Sequence, residues 1–334
     1  MAITKRVLIL VLILLCSISS VCATELENEF VTQLSKLQTP MQQALTNKEL
    51  TIRVNEEVYA PFVAPIITPF DKLETVPAVV VQGTFNSSDE NIFTVNKEGK
   101  LKGISNGEAT LVYQNGNESM ELKIIVDENA IPHAVQNNLW LINNEFLTVE
   151  RKRLDRSNKY TKWYYKSSKA VGWCSVFIIY SANASGNPPI PEEDLNESYK
   201  DKVFYLQEGQ VGNQYDGYNS LDRFVAVPKP GYLVVYADMS KAYRTTHIAT
   251  VTDVVEVGNG IYDVTTIEGN MSNTVKKYTY RYDSTKSNNH IGIEDRNDLQ
   301  WNMQEIPKEN QVDPLVQYTL HTDHWSVFGF CATW

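Results

Sequence analysis

Gly172-Trp173-Cys174-Ser175-Val176-Phe177-Ile178 reads as the start of an apolar helix, and the fold class follows from what lies on either side of it. Upstream, Ala134 to Arg153 has helical spacing, with Leu139, Ile142, Phe146 and Val149 recurring every three or four residues. Beyond Val225 the pattern turns to strands: Tyr232-Leu233-Val234-Val235-Tyr236, Ile248 to Val257, Ile261 to Ile267, Val275 to Tyr282 and Trp325 to Ala332. Helices followed by an antiparallel sheet predict an α+β domain over 132–334. Gly186-Asn187-Pro188-Pro189-Ile190-Pro191 and the acidic residues after it read as a surface loop between the two parts.

The first half of the chain is organised differently. From Thr51 to Val126, short strands alternate with turn signals: Ile92 to Val95, the turn Asn96-Lys97-Glu98-Gly99-Lys100, Leu101 to Ile104, Ala109 to Tyr113, Asn115-Gly116, and Met120 to Val126. Strands at this spacing predict a small all-β sandwich over 51–127, joined to the second domain by a linker from Asp127 to Pro132. Residues 24–50 read as a lead-in helix or linker with Phe30, Leu34, Leu37, Met41 and Leu45 on one face, and Pro40 is expected to break it.

Residues 1–23 have the pattern of a signal peptide: Lys5-Arg6, the apolar run Val7 to Leu15, and Val21-Cys22-Ala23 before an expected cleavage at Thr24. The run is shorter than the roughly 20 residues a membrane span needs. Val21 does not suit lipidation of Cys22. The expectation is a secreted or cell-wall-associated monomer with no stable membrane insertion. The formal net charge is −10, and loss of the leader removes Lys5 and Arg6 but no acid. With no basic cluster to override that balance, nucleic acid is not an expected partner. Four cysteines become two on export, Cys174 and Cys331, too few for a disulfide framework. Cys331 reads as a small buried apolar side chain.

The candidate chemistry begins at Cys174. A thiol in the first turn of a helix gains from the positive end of the macrodipole, which favours the nucleophilic thiolate. His247 lies on an alternating strand, and the next strand delivers Glu268-Gly269-Asn270. A thiol, an imidazole and a group to orient the imidazole are the parts of nucleophilic acyl transfer. Glu268 and Asn270 are two apart, so a regular strand would turn both toward His247, and either could fix its tautomer. His133, His290, His321 and His324 read as weaker candidates, and thiolate hydrolysis needs neither metal nor cofactor. Trp173, Trp163 and Tyr164 are candidates to line a substrate groove.

In their order, Lys159-Tyr160-Thr161-Lys162-Trp163-Tyr164 ahead of Trp173-Cys174-Ser175-Val176-Phe177-Ile178, then Pro228 to Tyr236, His247-Ile248-Ala249-Thr250-Val251, and Ile267-Glu268-Gly269-Asn270 resemble the CHAP family of cysteine, histidine-dependent amidohydrolases/peptidases. The likeness runs from about residue 135 to the end. Tyr232 stands where that family usually has Asp, and Ala249 where it often has Gly. The stretch from Ser87 to Leu111 resembles bacterial Ig-like domains, which serve as spacers or adhesive modules. These resemblances imply a papain-like α+β hydrolase preceded by an Ig-like sandwich. They also imply Cys174 as nucleophile, His247 as general base and acid, Glu268 as third member and Asn270 as accessory, acting on an amide of peptidoglycan. The bond could be that of an N-acetylmuramoyl-L-alanine amidase or of a cross-bridge endopeptidase. Two alternatives stay open: a catalytically silent surface adhesin, and a cysteine peptidase or amidase with other substrates.

Overall fold

The computed structural model describes residues 39–61, 83–148, 154–240, 245–290 and 298–334. The expected signal peptide and the lead-in positions Phe30, Leu34 and Leu37 lie outside the described residues. The described chain opens with α1 (Pro40–Asn47), so Pro40 starts a helix where the sequence reading had it break one. The reason is positional: proline at the first helical residue loses an N–H that has no intrahelical partner anyway. Thr39 and Gln42 complete a capping box around it.

Seven strands follow: β1 (Glu49–Ile52), β2 (Glu57–Tyr59), β3 (Thr84–Ser87), β4 (Phe93–Val95), β5 (Lys100–Gly103), β6 (Gly107–Asn115) and β7 (Glu118–Val126). They form a four-stranded sheet in the order β1-β7-β6-β3 and a three-stranded sheet in the order β2-β5-β4. All pairs are antiparallel except β1 with β7. The turn at Asn96–Lys100 closes with Gly99 at φ 77°, a conformation that favours glycine. Both sheets and α1 fill one core, with Met41, Ile52, Phe93, Leu101, Leu111 and Ile124 among its buried members. This lobe thus begins at α1, ahead of the boundary expected near Thr51.

The second lobe carries α2 (His133–Thr148), α3 (Lys159–Tyr165), α4 (Cys174–Ala184) and α5 (Val211–Asn219). Its strands are β8 (Phe224–Val225), β9 (Leu233–Asp238), β10 (Thr245–Gly258), β11 (Ile261–Glu268), β12 (Lys276–Asp283), β13 (Met303–Gln304) and β14 (Trp325–Cys331). These make one antiparallel sheet in the order β13-β12-β11-β10-β9-β14-β8. The chain is therefore a mixed α+β protein with several sheets. Central β9 is buried at every position because both faces are covered. Leu233, Val235 and Ala237 pack with α4 and α5, while Val234 and Tyr236 join Val251, Tyr280 and Phe330 on the opposite face. Among the described residues no helix is long and apolar enough to cross a membrane.

Residues 39–334 form one compact unit. Glu56, between β1 and β2, accepts the backbone N–H of His133 at the first residue of α2 and the N–H of Arg53 at 2.8 Å. Burial pushes its carboxyl up, against the pull of these two N–H groups. The Arg53 guanidinium lies 5.2 Å over the ring of Trp334, whose indole N–H donates to Pro230 O. Helix α2, packed against α1, α4 and β11, is consequently buried on more sides than a single apolar stripe implies. Glu56→Ala should cost about 1–2 kcal/mol in urea unfolding, since it strips an N-terminal helix partner and leaves a half-buried donor unmet. An unchanged midpoint would show that the contact contributes nothing.

Candidate active site

Cys174 is the first residue of α4, and its cap, Trp173, makes no side-chain capping bond, so the first-turn N–H groups remain available to the sulfur. Trp173 itself has no exposed surface. It stacks on Tyr160 at 5.2 Å and meets Phe177 edge-on, which anchors the start of α4 in the core. A buried indole cannot line a groove, so the substrate-binding role read for Trp173 does not hold, and Trp163 and Tyr164 remain for it. The thiol of Cys174 is half-buried. Burial alone would raise its pKa, but the hydrogen bond and charge of His247, with the N–H groups of Ser175 and Ile248, bring it below the ordinary thiol value.

His247 is on β10 directly opposite Tyr236 on β9, and its ring lies against those of Tyr236 at 5.9 Å and Trp325 at 5.5 Å, which also meet each other at 6.0 Å. Its Nε2 is 3.0 Å from Glu268 Oε2, which leaves Nδ1 for the thiol. Burial opposes charge on this ring, yet bonds and charges from Cys174 and Glu268 raise its pKa to about 10. Glu268, the last residue of β11, is fully buried. Burial works against its ionisation, but the charges and hydrogen bonds of His321 and His247 hold it far below the ordinary carboxylate range. The electrostatics thus favour a thiolate, an imidazolium and a carboxylate in line.

The Glu268-Gly269-Asn270 run divides three tasks. A Cβ on Gly269 would sit 2.6 Å from that of Phe177, so only glycine lets α4 come this close to the end of β11. Asn270 takes φ 67° and leaves the strand, so the expected shared face with Glu268 is lost. Its Nδ2 points toward Gly172, 3.6 Å from where a Cβ there would be, beside the loop that carries Cys174. The bond to His247 therefore belongs to Glu268, and Asn270 turns instead toward Gly172.

Three partners of Glu268 escape a reading of the sequence: the hydroxyls of Tyr236 (3.0 Å) and Thr266 (2.6 Å) and Nε2 of His321 (2.8 Å), all on Oε1. His321, set aside as a weak candidate, is in the site. Its neighbour His324 pairs with Asp323 at 2.8 Å, and His133 is buried at the start of α2, pushed down to about 4 by burial.

Helix α3 forms a ledge beside the thiol. Asn158 caps it, and Glu145 of α2 holds its first turn through Lys159 (2.7 Å) and the Tyr160 hydroxyl (2.7 Å). Trp163, Tyr164 and Tyr165 are partly exposed. The Tyr165 phenol is raised first by burial and then by the charge of Cys174, and its helix packs against α4. Lys166 and Lys169 lie over the rings of Trp163 and Tyr165, at 5.2 and 4.6 Å.

Cys174 and Cys331 are both free thiols. Cys331 is fully buried, and burial pushes its pKa well above the ordinary value. Iodoacetamide near neutral pH should therefore label Cys174 rapidly and Cys331 only on unfolding, as read by peptide mass spectrometry. Turnover should rise with pH to a plateau reached below the ordinary thiol value of 9.0, then fall above about 10 as His247 loses its proton. Equal labelling of both cysteines would refute this assignment.

Comparison with known proteins finds no matching family and no matching curated sequence.

Proposed function

We propose that the chain is a secreted cysteine hydrolase that cleaves an amide bond of peptidoglycan, a CHAP-like, papain-type domain preceded by an Ig-like module. The observation that carries this reading is the line Cys174–His247–Glu268, with the thiol at a helix start and the imidazole held by a buried carboxylate. The ledge supports the substrate class. Lys162, Lys166 and Lys169 are exposed, and no acid occurs between Asn158 and Gly172, so an otherwise acidic protein offers cations and aromatic faces beside its thiol. Sugar rings stack on such faces, and the carboxylates of stem peptides suit such cations.

The thiolate attacks the amide carbonyl carbon, and the carbonyl electron pair moves to oxygen. The developing oxyanion is met by the free backbone N–H of Cys174 in the first turn of α4. Collapse breaks the C–N bond while the His247 imidazolium gives its proton to the departing amine. Neutral His247 then takes a proton from water, whose oxygen attacks the thioester, and Cys174 leaves as thiolate with the carboxylic acid product. Glu268 holds the ring in one tautomer and stabilises its charged form throughout.

Digestion of purified cell walls, followed by the appearance of new amino groups, tests the reading. Release from walls without cleavage of casein is expected. Cleavage of casein with no release from walls would move the protein to the peptidases of other substrates.

A further inference from the structure

Glu268 has more partners than one ring requires. Its Oε2 serves His247, while Oε1 accepts from Tyr236, Thr266 and His321. Tyr236 and Thr266 belong to the sheet, on β9 and β11, so their positions are set by strand register. His321 does not. It comes from the irregular segment before β14 and reaches the carboxylate with a side chain only 1% exposed. Its ring stacks on Tyr278 at 4.2 Å, with Tyr236 at 4.8 Å and Trp325 at 5.6 Å. Its other nitrogen, Nδ1, is buried with no hydrogen-bond partner. Packing and bonding therefore commit this histidine to one interaction, the donation from Nε2 to Glu268.

We propose that His321 is a positioning residue of the Cys174 site, fixing the Glu268 carboxylate so that Oε2 faces His247, in a four-membered line Cys174–His247–Glu268–His321. This rests on the reading of Cys174 as nucleophile. The physical basis is that a carboxylate cut off from water stays ionised only if donors replace its hydration. A charge-assisted bond is roughly twice as strong as a neutral one, and the shared Oε1 locks the carboxylate against rotation. Tyr236 and Thr266 share Oε1 with His321, but they come with the strands, and His321 is the further donor that the segment before β14 adds. Tyr236 on β9 and Tyr278 and Tyr280 on β12 have phenols raised by burial, so they stay neutral. His247 on β10 is engaged with the thiol, and Asp238, at the end of β9, accepts from Ser240 and lies 3.9 Å from His324. Without His321, Glu268 would ionise less readily, His247 would be less well held as imidazolium, and the Cys174 thiolate would lose part of its counter-charge.

The test is the pH dependence of iodoacetamide labelling at Cys174 in the full chain, with wall turnover and thermal melting measured alongside. His321→Gln keeps an amide donor near the Nε2 position, whereas His321→Asn is too short and His321→Phe has none. His321→Phe and His321→Asn should raise the pH of half-maximal labelling by about one unit, slowing labelling about tenfold below it. His321→Gln should stay within about twofold of the parent rate. If His321→Phe does not fold, the Gln and Asn pair carries the comparison. Unchanged labelling in a folded His321→Asn overturns the proposal, and so does equal slowing in His321→Gln and His321→Asn, which would make the role one of packing. An unaltered protein whose Cys174 is not selectively labelled overturns the nucleophile reading itself, an outcome separate from either.

Discussion

Cys174→Ala should abolish release of amino groups from wall fragments, a loss of about 10⁴-fold or more, because removing the nucleophile leaves only binding and the oxyanion contact. The fold should survive. The sulfur is half-buried at the edge of a core led by Ile178, Phe204, Tyr218 and Phe328, so its removal should cost no more than about 1 kcal/mol in urea unfolding. Cys174→Ser sharpens the result, since it keeps the shape but offers a hydroxyl that His247 cannot ionise as it does a thiol. The loss of thiolate should also lower the pKa of His247, which is about 10 partly through its bond and charge from Cys174. An NMR titration of the ring in Cys174→Ala reads that shift directly. Residual turnover above a thousandth of the parent rate, with a normal melt, would mean that another group does the chemistry.

What the sequence disclosed, and what it hid, follows from the range of the interactions. The strands carrying His247 and Glu268 alternate plainly, and the apolar start of α4 carries a single thiol, so the three groups of the candidate site were legible in chain order. Local signals were also present where the reading failed. Thr39-Pro40-Met41-Gln42 contains a capping box, and Pro40 there begins a helix. Gly269-Asn270 ends β11, so extending strand periodicity through Asn270 misplaced its side chain. Trp173 was ambiguous in principle, because an aromatic before a nucleophile serves a groove or a core equally well until its stacking on Tyr160 is seen. His321 was beyond reach for another reason. It meets Glu268 across 53 positions, and it is the pairing of β14 with β9, with a bridge from Gln317 to Tyr278 on β12, that brings the segment before Trp325 beside Tyr236. No periodicity records such a contact. The same holds for Glu56, whose partner His133 lies 77 residues on.

Glu268→Gln should lower turnover by up to ~10⁴-fold, the loss seen when a triad carboxylate becomes an amide and the imidazole takes the wrong tautomer. The geometry decides which way the new amide turns. At the Oε1 position three donors converge, Tyr236, Thr266 and His321, while only His247 meets Oε2. The amide oxygen will occupy the first position, since an NH₂ there would oppose three donors at once. The NH₂ then faces His247 Nε2, which must accept, and the ring proton moves to Nδ1, the nitrogen turned to Cys174. A ring in that state cannot take the thiol proton, and it has lost the negative charge that favoured the imidazolium. Both effects act together on the thiolate, so iodoacetamide labelling of Cys174 should slow alongside turnover. Protein stability should change little, because a neutral amide costs less to bury than a carboxylate and three of four contacts persist. Turnover within tenfold of the parent would show that Glu268 does not set the His247 tautomer. The orienting role would then belong to a group other than Glu268.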